Sequence, residues 1–309
     1  MVRPGRNHLK RLARARPFGK SPLSAFLRAA EWIWKRLPRE VTALRPVVAL
    51  GRLMHALVRL GDRRQFFGTF FLRNRPQLQV LCRLADRAPR GSAVRIAVLG
   101  CSLGAEVYSI AWAIRSARSD LILTMQAVDI SEDVLAAARE GVYALGVSDL
   151  AMEALCERMT EGEIRSMFES DGRSLRVKPW IREGIGWSVG DARDPRILDD
   201  MGSHQVVVAN DFLCHMEPTE AEGCLRNVAR LVDSGGYLVV SGVDLDVRTK
   251  VARDLGWKPV RDMIEDVHDG DRSLRLSWPW RYWGLEPLDK TRPDWPMRYA
   301  SVFQVGVSS

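Results

Sequence analysis

The chain has 309 residues, 46% of them hydrophobic, which is enough apolar material to bury a complete α/β core. It contains no apolar run of membrane-spanning length, and its basic start, residues 1–16, lacks the apolar stretch of a secretory signal. The five cysteines and five histidines are scattered without disulfide or metal-ligand spacing. We therefore expect a cytoplasmic protein with reduced cysteines and no bound metal.

The positive charge is concentrated at the start of the chain. The net charge is +8, but residues 1–60 contain fourteen basic and two acidic residues, so they carry +12 and the remainder carries −4. A mildly acidic body has no evident basic groove, and we expect no nucleic-acid partner. Residues 1–21 are basic, aperiodic and interrupted by Pro and Gly, and they are predicted to form a disordered tail.

Residues 22–90 are predicted to form an N-terminal helical region. Apolar residues recur at helical spacing over Leu23–Leu37 and again over Pro46–Leu60. The first helix has two interpretations: it packs on the body, or it is a basic amphipathic helix. In the second case residues 1–40 contact a membrane surface or an acidic partner, with Trp32 and Trp34 as interface anchors.

Residues 91–309 alternate short apolar segments with helical patterns, which is typical of a parallel sheet. The predicted strands are Val94–Leu99, Leu121–Val128, Gly186–Val189, Gln205–Ala209, Tyr237–Ser241 and a final edge strand, Tyr299–Val305. The predicted helices are Ala105–Ala117, Glu132–Glu140, Thr219–Leu231, which ends at a Gly235-Gly236 turn, and Val247–Leu255. The stretch 141–179 is less regular and suggests a helical insertion. The pattern predicts a doubly wound α/β domain in which the almost wholly apolar strand 205–209 is central.

A short glycine turn follows the first strand. It runs from Gly100 through Cys101 and Ser102 to Gly104, and Glu106 lies just beyond it. Glycines at a strand-to-helix turn let the backbone approach a ligand and leave amide groups facing an anion. The G-x-G-x-x-G pattern of dinucleotide sites is absent. The shorter turn suits the methionine carboxylate of S-adenosylmethionine, with Glu106 near the ammonium group of the same cofactor.

Two further carboxylates follow later strands. Asp129, next to Ile130, ends the second strand, where it can accept both ribose hydroxyls of the cofactor. Its alternative role is to cap the next helix, for which Ser131 is better placed. Asp191, followed by Ala192, comes after the third strand, where such folds commonly hold the adenine amino group; its alternative is a solvated loop. Acceptors at three successive strand ends together predict a site for S-adenosylmethionine.

Three segments resemble the CheR chemotaxis receptor methyltransferases. Cys101-Ser-Leu-Gly-Ala-Glu-Val-Tyr-Ser-Ile-Ala111 is similar to that family's C-S-x-G-E-E-P-Y-S-I-A, and Thr69-Phe-Phe-Leu-Arg73 resembles its T-x-F-F-R. Ala127-Val-Asp-Ile130 and the helix after it resemble A-T-D-I…L-x-x-A-R-x-G-x-Y. The resemblance covers about residues 68–242. It implies the class I methyltransferase fold, a Rossmann-like, mostly parallel seven-stranded sheet, with S-adenosylmethionine as cofactor.

The resemblance also implies individual cofactor contacts. The matching positions are Thr69, Arg73, Glu106, Asp129, and Asp191 with Ala192. The first glutamate of the family's E-E pair is Ala105 in this chain, whereas the second, which faces the cofactor, is kept as Glu106.

The chain departs from the family after the fourth strand. Where the family has a pattern like C-R-N-V-M-I-Y-F, Asn210 replaces the arginine, Asp211 the asparagine and His215 the tyrosine. A neutral amide beside a new carboxylate is hard to reconcile with an anionic glutamate acceptor. Asn210, also a cofactor contact, Asp211 and His215 are therefore the candidate catalytic residues.

The role of a base depends on the acceptor. A carboxylate acceptor needs none, whereas a hydroxyl or ammonium acceptor must lose a proton, for which His215 or Asp211 is the candidate. His215 is alternatively a structural residue, and Asp211 alternatively orients a substrate amine or hydroxyl.

Three functions stay open from the sequence. The first is methylation of a protein carboxylate, and the second is O- or N-methylation of a small molecule or glycan. The third is a non-catalytic S-adenosylmethionine-binding module that signals through its basic N-terminal helix. The aromatic tail either braces the sheet edge or lines an acceptor pocket; its residues are Trp278, Trp280, Tyr282, Trp283, Trp295 and Tyr299.

Overall fold

The computed structural model describes residues 22–42, 44–58, 68–144, 155–271, 278–280 and 286–306. The strands are β1 (Ala93–Leu99), β2 (Ile122–Asp129), β3 (Val142–Ala144), β4 (Phe168–Ser170), β5 (Ser174–Val177), β6 (Ile185–Val189), β7 (His204–Ala209), β8 (Val232–Val240), β9 (Lys258–Pro259) and β10 (Val302–Gln304). The helices are α1 (Pro22–Trp34), α2 (Arg39–Thr42), α3 (Arg45–Val58), α4 (Arg75–Ala85), α5 (Ala105–Ala117), α6 (Glu132–Glu140), α7 (Glu161–Met167), α8 (Pro179–Arg182), α9 (Ile197–Met201), α10 (Pro218–Ala229), α11 (Leu245–Asp254), α12 (Ile264–Asp269) and α13 (Trp295–Tyr299). The predicted disordered tail, residues 1–21, lies outside the described residues.

A seven-stranded sheet forms the centre of the molecule, in the order β6-β2-β1-β7-β8-β10-β9. The first five strands are mutually parallel, and β10 pairs antiparallel with both β8 and β9. The predicted doubly wound, mostly parallel sheet is therefore confirmed, with β7 inside it. Because the chain extends the sheet from β1 to β6 on one side and from β7 onward on the other, the order reverses between β1 and β7. A crevice opens at the carboxyl ends of the strands at such a point.

Alternation along β1 explains the two helical layers. Ile96 and Val98 pack into one buried apolar cluster, whereas Ala97 and Leu99 pack into the cluster on the opposite face. Successive side chains of a strand point to opposite faces, so an almost continuous apolar strand requires cover on both.

Local signals set the helix boundaries near the crevice. The Ser131 hydroxyl accepts the Val134 amide at 3.5 Å and caps α6, which confirms that the cap belongs to Ser131. Helix α4, which lies just before the sheet in the chain, packs its buried Val80, Leu81 and Leu84 into the same cluster as Ile96.

Three expectations about strands are wrong. The predicted edge strand 299–305 shortens to β10, which lies between β8 and β9; Tyr299 ends α13, and the true edge strand contains Pro259, which has no amide to donate. The Gly235-Gly236 turn lies inside β8, at a register irregularity opposite the start of β7. Part of the predicted helical insertion folds as a three-stranded antiparallel sheet, β3-β5-β4, whose strands are too short to give a clear alternating pattern.

The N-terminal helix α1 contacts the tail of the chain. The Trp34 ring meets the rings of Trp278 and Trp280 edge-on, with centroid separations of 5.6 and 6.3 Å. Trp32 points outward, 58% exposed, with the Arg36 guanidinium 3.6 Å above its ring centroid. Thus one face of α1 packs on the body, and Trp34 belongs to that face. No helix in the described part of the chain is long and apolar enough to cross a bilayer.

Candidate active site

A cavity of about 370 Å³ opens at the carboxyl ends of the parallel strands, a size typical of small-molecule sites. The turn after β1, the ends of β2, β6, β7 and β8, and the segment before α4 contribute to its walls. Of the predicted site residues, those that line it are Thr69, Arg73, Gly100, Cys101, Ser102, Glu106, Asp129, Ile130, Asp191, Ala192, Asn210, Asp211 and His215. The tertiary fold thus brings together residues from five separate stretches of the chain.

Gly104 is the predicted site residue that does not line the cavity. Its backbone has a φ of 81°, and a Cβ atom there would lie 2.9 Å from the Trp187 ring and 3.2 Å from Ala138 Cβ. A glycine is required at this position because α5 starts against these neighbours in a left-handed conformation.

One end of the cavity contains a hydrogen-bonded cluster of two amides and a carboxylate. Asn210 Nδ2 donates to Glu106 Oε1 at 2.7 Å and to Gln77 Oε1 at 2.8 Å. Among the described residues, Asn210 Oδ1 and Gln77 Nε2 are buried without a hydrogen-bond partner. Buried polar atoms normally have partners, so one acceptor and one donor are left for a ligand at this end.

Glu106 at this end has an altered acidity. Burial, and to a lesser extent the nearby Asp211 carboxylate, raise the pKa of Glu106 to about 7, against the opposing effects of the Asn210 hydrogen bond and the Arg73 charge. A carboxylate that is costly to ionise in the free protein is well suited to a cationic ligand, which would restore its charge.

Arg73 lies beside this cluster and joins two carboxylates. Its Nη1 is 2.9 Å from Asp211 Oδ2, and its Nε is 3.2 Å from Asp271 Oδ2. Although burial alone lowers the pKa of Arg73, Asp211, Asp271 and Glu106 raise it. Arg158 Nη1 adds a further contact to Asp271 Oδ1 at 3.1 Å, and the Arg158 guanidinium carbon lies 4.1 Å from the Phe70 ring centroid. The acidic side chains of this region are therefore balanced by arginines.

Asp129 is almost fully buried at the end of β2, where it accepts two backbone amides. Its Oδ2 accepts Ser102 N at 2.8 Å, and its Oδ1 accepts Ser131 N at 3.1 Å. Each carboxylate oxygen has two lone pairs, so both keep the capacity to accept a hydroxyl from the cavity. Asp129 thus ties the glycine turn to the next helix while lining the cavity.

Asp191 lies at the other end of the cavity and is paired. Its carboxylate accepts several hydrogen bonds from the Arg193 guanidinium, the shortest at 2.6 Å, which lower its pKa. Arg193 also bonds Glu220 at 2.8 Å. The side chains of Arg193 and Asp191 are both partly exposed to solvent, so the solvated-loop alternative describes part of the surroundings of Asp191. Asp191 nevertheless lines the cavity.

Asp211 has a left-handed backbone, with a φ of 60°. Such a φ is uncommon for a residue other than glycine and is tolerated best by Asn and Asp. Across from it, Gly242 is also left-handed, and a Cβ at Gly242 would lie 2.4 Å from Asp211 Cα. The ends of β7 and β8 thus pack closely enough to fix the Asp211 carboxylate beside Arg73. His215 ends the short 3₁₀ helix that follows, on the same wall.

Comparison with known protein families identifies the domain that contains this cavity. The family model described as CheR methyltransferase, SAM binding domain, matches residues 68–249, which is more than half of the chain. This chain belongs to the CheR methyltransferase family. The match confirms the resemblance and the S-adenosylmethionine cofactor, and it spans the positions of the predicted cofactor contacts, from Thr69 to Asn210.

A curated relative supports the same family. The probable biofilm formation methyltransferase WspC of Pseudomonas aeruginosa is 29% identical over 213 residues, covering 67% of this chain and 48% of the relative. The chain therefore spans about half the length of this CheR-type relative.

Solved methyltransferase structures have lower overall similarity. An O-methyltransferase family protein from Burkholderia thailandensis is 17% identical with a TM-score of 0.34, covering 72% of this chain and 54% of that one. Magnesium protoporphyrin IX methyltransferase from Synechocystis PCC 6803 is 15% identical with a TM-score of 0.36. The match covers 84% of this chain and 89% of that one.

The same cavity is also lined by residues that the sequence did not predict, among them Phe70, Gln77, Ser241, Arg248, Asp271 and Ser301. Gln77 had a detectable signal, because it lies four residues after Arg73 in the same matched segment. Arg248 and Ser301 had none, since they reach the cavity only through the packing of α11 and β10 on β8.

The residues of the aromatic tail lie in three different surroundings. Tyr299 lines the cavity, whereas Trp278 and Trp280 pack on Trp34, and Trp295 packs against the apolar cluster on one face of the sheet. Tyr282 and Trp283 lie outside the described residues. Within the described ranges, no group of three or more His, Cys, Asp or Glu side chains is arranged to hold a metal ion.

Proposed function

We propose that this protein transfers the methyl group of S-adenosylmethionine to a carboxylate oxygen of its acceptor. The observation that carries the proposal is a single cavity in which unsatisfied amide atoms lie beside Glu106, with carboxylates at the end of β2 and after β6. The order of the strand ends that carry these groups suits an amino acid beside Glu106, a ribose at Asp129 and a base at Asp191.

The residues at the cavity ends fit the two charged groups of the cofactor. Arg73 and Gln77 Nε2 are donors for its carboxylate, whereas Glu106 and Asn210 Oδ1 are acceptors for its ammonium. Asp129 would accept the ribose hydroxyls with the lone pairs that its two amide donors leave open.

The chemistry requires positioning more than proton transfer. When bound, S-adenosylmethionine supplies an electrophilic methyl group, which passes to the acceptor oxygen as its bond to sulfur breaks and the electron pair stays on sulfur. An ionised carboxylate acceptor brings its own lone pair, so no side chain has to remove a proton. The protein's contribution is to hold the acceptor in line, and holding two reactants together accounts for much of such a rate enhancement.

The charge of Asp211 at first argues against an anionic acceptor. However, Arg73 Nη1 lies 2.9 Å from its carboxylate, and Asp271 likewise has Arg73 and Arg158 as partners. Ion pairing offsets most of the repulsion that an unpaired Asp211 would exert on an acceptor carboxylate.

The second candidate is methylation of a hydroxyl or amine on a small molecule or glycan. It is favoured by His215, which lines the cavity and places an imidazole, a side chain able to act as a general base, where the family has tyrosine. The third hypothesis, a non-catalytic binding module, requires the same cofactor contacts without turnover.

The test is incubation of the purified protein with methyl-labelled S-adenosylmethionine and acceptor fractions. Base-labile label on protein is expected, because carboxyl methyl esters hydrolyse at high pH. Base-stable label would support the second candidate, and cofactor binding without any methyl transfer would support the third.

We also propose that the N-terminal helices contact an anionic membrane surface. Phe26, Trp32 and Ile33 on α1 and Leu50 and Leu53 on α3 are each at least half exposed. Residues 1–60 carry +12, and a basic amphipathic surface with exposed aromatic and aliphatic side chains binds anionic lipid. A cytoplasmic location is proposed with it, since all five cysteines are free thiols.

A further inference from the structure

A buried arginine outside the hydrogen-bonded cluster of Asn210, Gln77 and Glu106 lines the cavity. Arg248, on α11, is only 4% exposed. Its Nη1 donates to Val240 O at 3.0 Å and its Nη2 to Arg298 O at 2.8 Å, while its Nε has no partner among the described residues. Each of the two terminal nitrogens carries two hydrogens. Each therefore donates one of them to a backbone carbonyl and has the other available for a further hydrogen bond.

Arg248 differs from the other arginines around it in having no acidic partner in the part of the chain that the structure describes. Arg73 and Arg193, also on the cavity wall, each pair with an aspartate, and Arg298 pairs with Glu286 and Asp246. Within the described residues, Arg248 forms no salt bridge. Burial, and then the neighbouring positive charge of Arg298, lowers the pKa of Arg248 to about 9. A buried unpaired charge is costly, so its presence in a cavity wall indicates an anionic ligand.

Ser301 provides a second unsatisfied donor close by. It lines the cavity at 8% exposure, and its Oγ has no hydrogen-bond partner in the described part of the chain. Ser301 O accepts the Val240 amide at 2.7 Å, whereas Arg248 donates to the Val240 carbonyl. Ser301 and Arg248 thus both contact the backbone of one residue, Val240, at the end of β8.

The position of this pair favours the acceptor half of the cavity. Ser241, the residue after Val240, donates its hydroxyl to Asp211 Oδ1 at 3.4 Å. Asp211 lies next to Asn210, in the segment where the chain departs from the family pattern. The pair is therefore on the β8 side of Asp211, and the ribose and adenine contacts predicted at Asp129 and Asp191 lie across the sheet at the ends of β2 and β6.

We propose that Arg248 and Ser301 form a subsite that binds the carboxylate of the methyl acceptor. This inference rests on the proposed function and assigns the residues that select its acceptor. A guanidinium with free η hydrogens and an adjacent hydroxyl can hold one carboxylate oxygen and leave the second available for methylation. The family pattern has an arginine where this chain has Asn210. In the proposed subsite, Arg248 on α11 provides a positive charge instead.

The experiment measures the binding of glutarate, a dicarboxylate with the shape of a glutamate side chain, to protein saturated with S-adenosylhomocysteine. Calorimetry is expected to detect millimolar binding to the unaltered full chain. Arg248→Gln should weaken glutarate binding at least tenfold, and Ser301→Ala roughly threefold, because each removes donors from one ligand group.

Two controls separate binding from folding. Arg253→Gln alters an exposed arginine of the same helix that pairs with Asp294, and it should leave glutarate binding unchanged. The affinity for S-adenosylhomocysteine is measured for every variant and should stay within twofold of the original. If Arg248→Gln does not fold, Arg248→Lys and Ser301→Ala still test the subsite, and Arg248→Lys should bind glutarate with intermediate affinity.

Three results would overturn the subsite. They are the absence of glutarate binding to the original protein, equal binding by Arg248→Gln, and a matching loss of S-adenosylhomocysteine affinity, which would assign Arg248 to the cofactor site. Methyl transfer is assayed on the same samples. Retained, Arg248-dependent glutarate binding without any methyl transfer would count against the proposed function while leaving the subsite intact.

Discussion

At the residue scale, Glu106 should make cofactor binding depend on pH. Its pKa of about 7 in the free protein means that the carboxyl is mostly protonated at pH 6, yet an ammonium ligand requires the ionised form. The affinity for S-adenosylhomocysteine should therefore rise with pH, roughly tenfold between pH 6 and pH 8, by linkage. Calorimetry at several pH values measures this.

Glu106→Gln provides the control for that prediction. The variant should bind more weakly and with little change between pH 6 and pH 8, because the titrating group is gone. An affinity of the original protein that is flat over the same range would show that another group neutralises the ammonium.

His215 distinguishes the two candidate reactions. For a carboxylate acceptor, His215→Asn should lower kcat less than tenfold and leave the shape of the pH–rate profile unchanged, because no proton is removed. A general base typically contributes roughly 10²–10⁴-fold to the rate. A loss of that size, together with a disappearing pKa near neutrality, would favour a hydroxyl or amine acceptor instead.

At the element scale, the contact between the ends of β7 and β8 depends on a glycine. Gly242→Ala should lower the free energy of unfolding by about 2–4 kcal/mol, since its Cβ would overlap Asp211 in a left-handed backbone. Urea denaturation measures the change. Gly202→Ala is the matched control, because Gly202 has a φ of 66° but no heavy atom within 4 Å of its added Cβ; it should cost about 1 kcal/mol. Equal losses for both would remove the packing explanation.

The helices α1 and α3 carry the membrane proposal. Replacing Trp32 and Ile33 together by Ser in the full chain should weaken binding to phosphatidylserine-containing vesicles at least fivefold, because both side chains are more than half exposed. Vesicle co-sedimentation measures binding. Ile122→Ser alters an equally exposed apolar residue on β2 and should have no effect. Unchanged binding by the double variant would reject the contact.

At the scale of the whole molecule, the proposed cofactor site joins α4 to the ends of several strands of the main sheet. A ligand that binds only the folded state stabilises it by about 2.7 kcal/mol at a hundredfold excess over Kd. Saturation with S-adenosylhomocysteine should therefore raise the Tm by roughly 4 °C in a chain of this size. Scanning fluorimetry checks this, with Glu106→Gln as the weakly responding control. No shift in the original protein would contradict the site.

The sequence predicted the parallel half of the sheet because each strand there is a local apolar run and each helix between them has its own pattern. Strand β1 and helix α5 were predicted to within one residue at each end. It failed for β9 and the β3-β5-β4 sheet, whose strands are two to four residues long, and it made β10 too long and placed it at the sheet edge. Such strands depend on partners distant in the chain, and so short a segment has no periodicity to read.

The candidate active site shows the same contrast between what the sequence predicted and what only the structure decided. The sequence predicted that residues of the glycine turn, Glu106 and Asp129 lie at one crevice, because residues at parallel strand ends must converge there. Only the tertiary structure decided that Asp211 pairs with Arg73 and that Arg248 faces the cavity without an acidic partner among the described residues. Both observations depend on which side chains from separate elements meet, and only the three-dimensional structure shows which charges lie close together. The chain alone therefore determined the cofactor class, while the pairing of its buried charges determined what acceptor we propose.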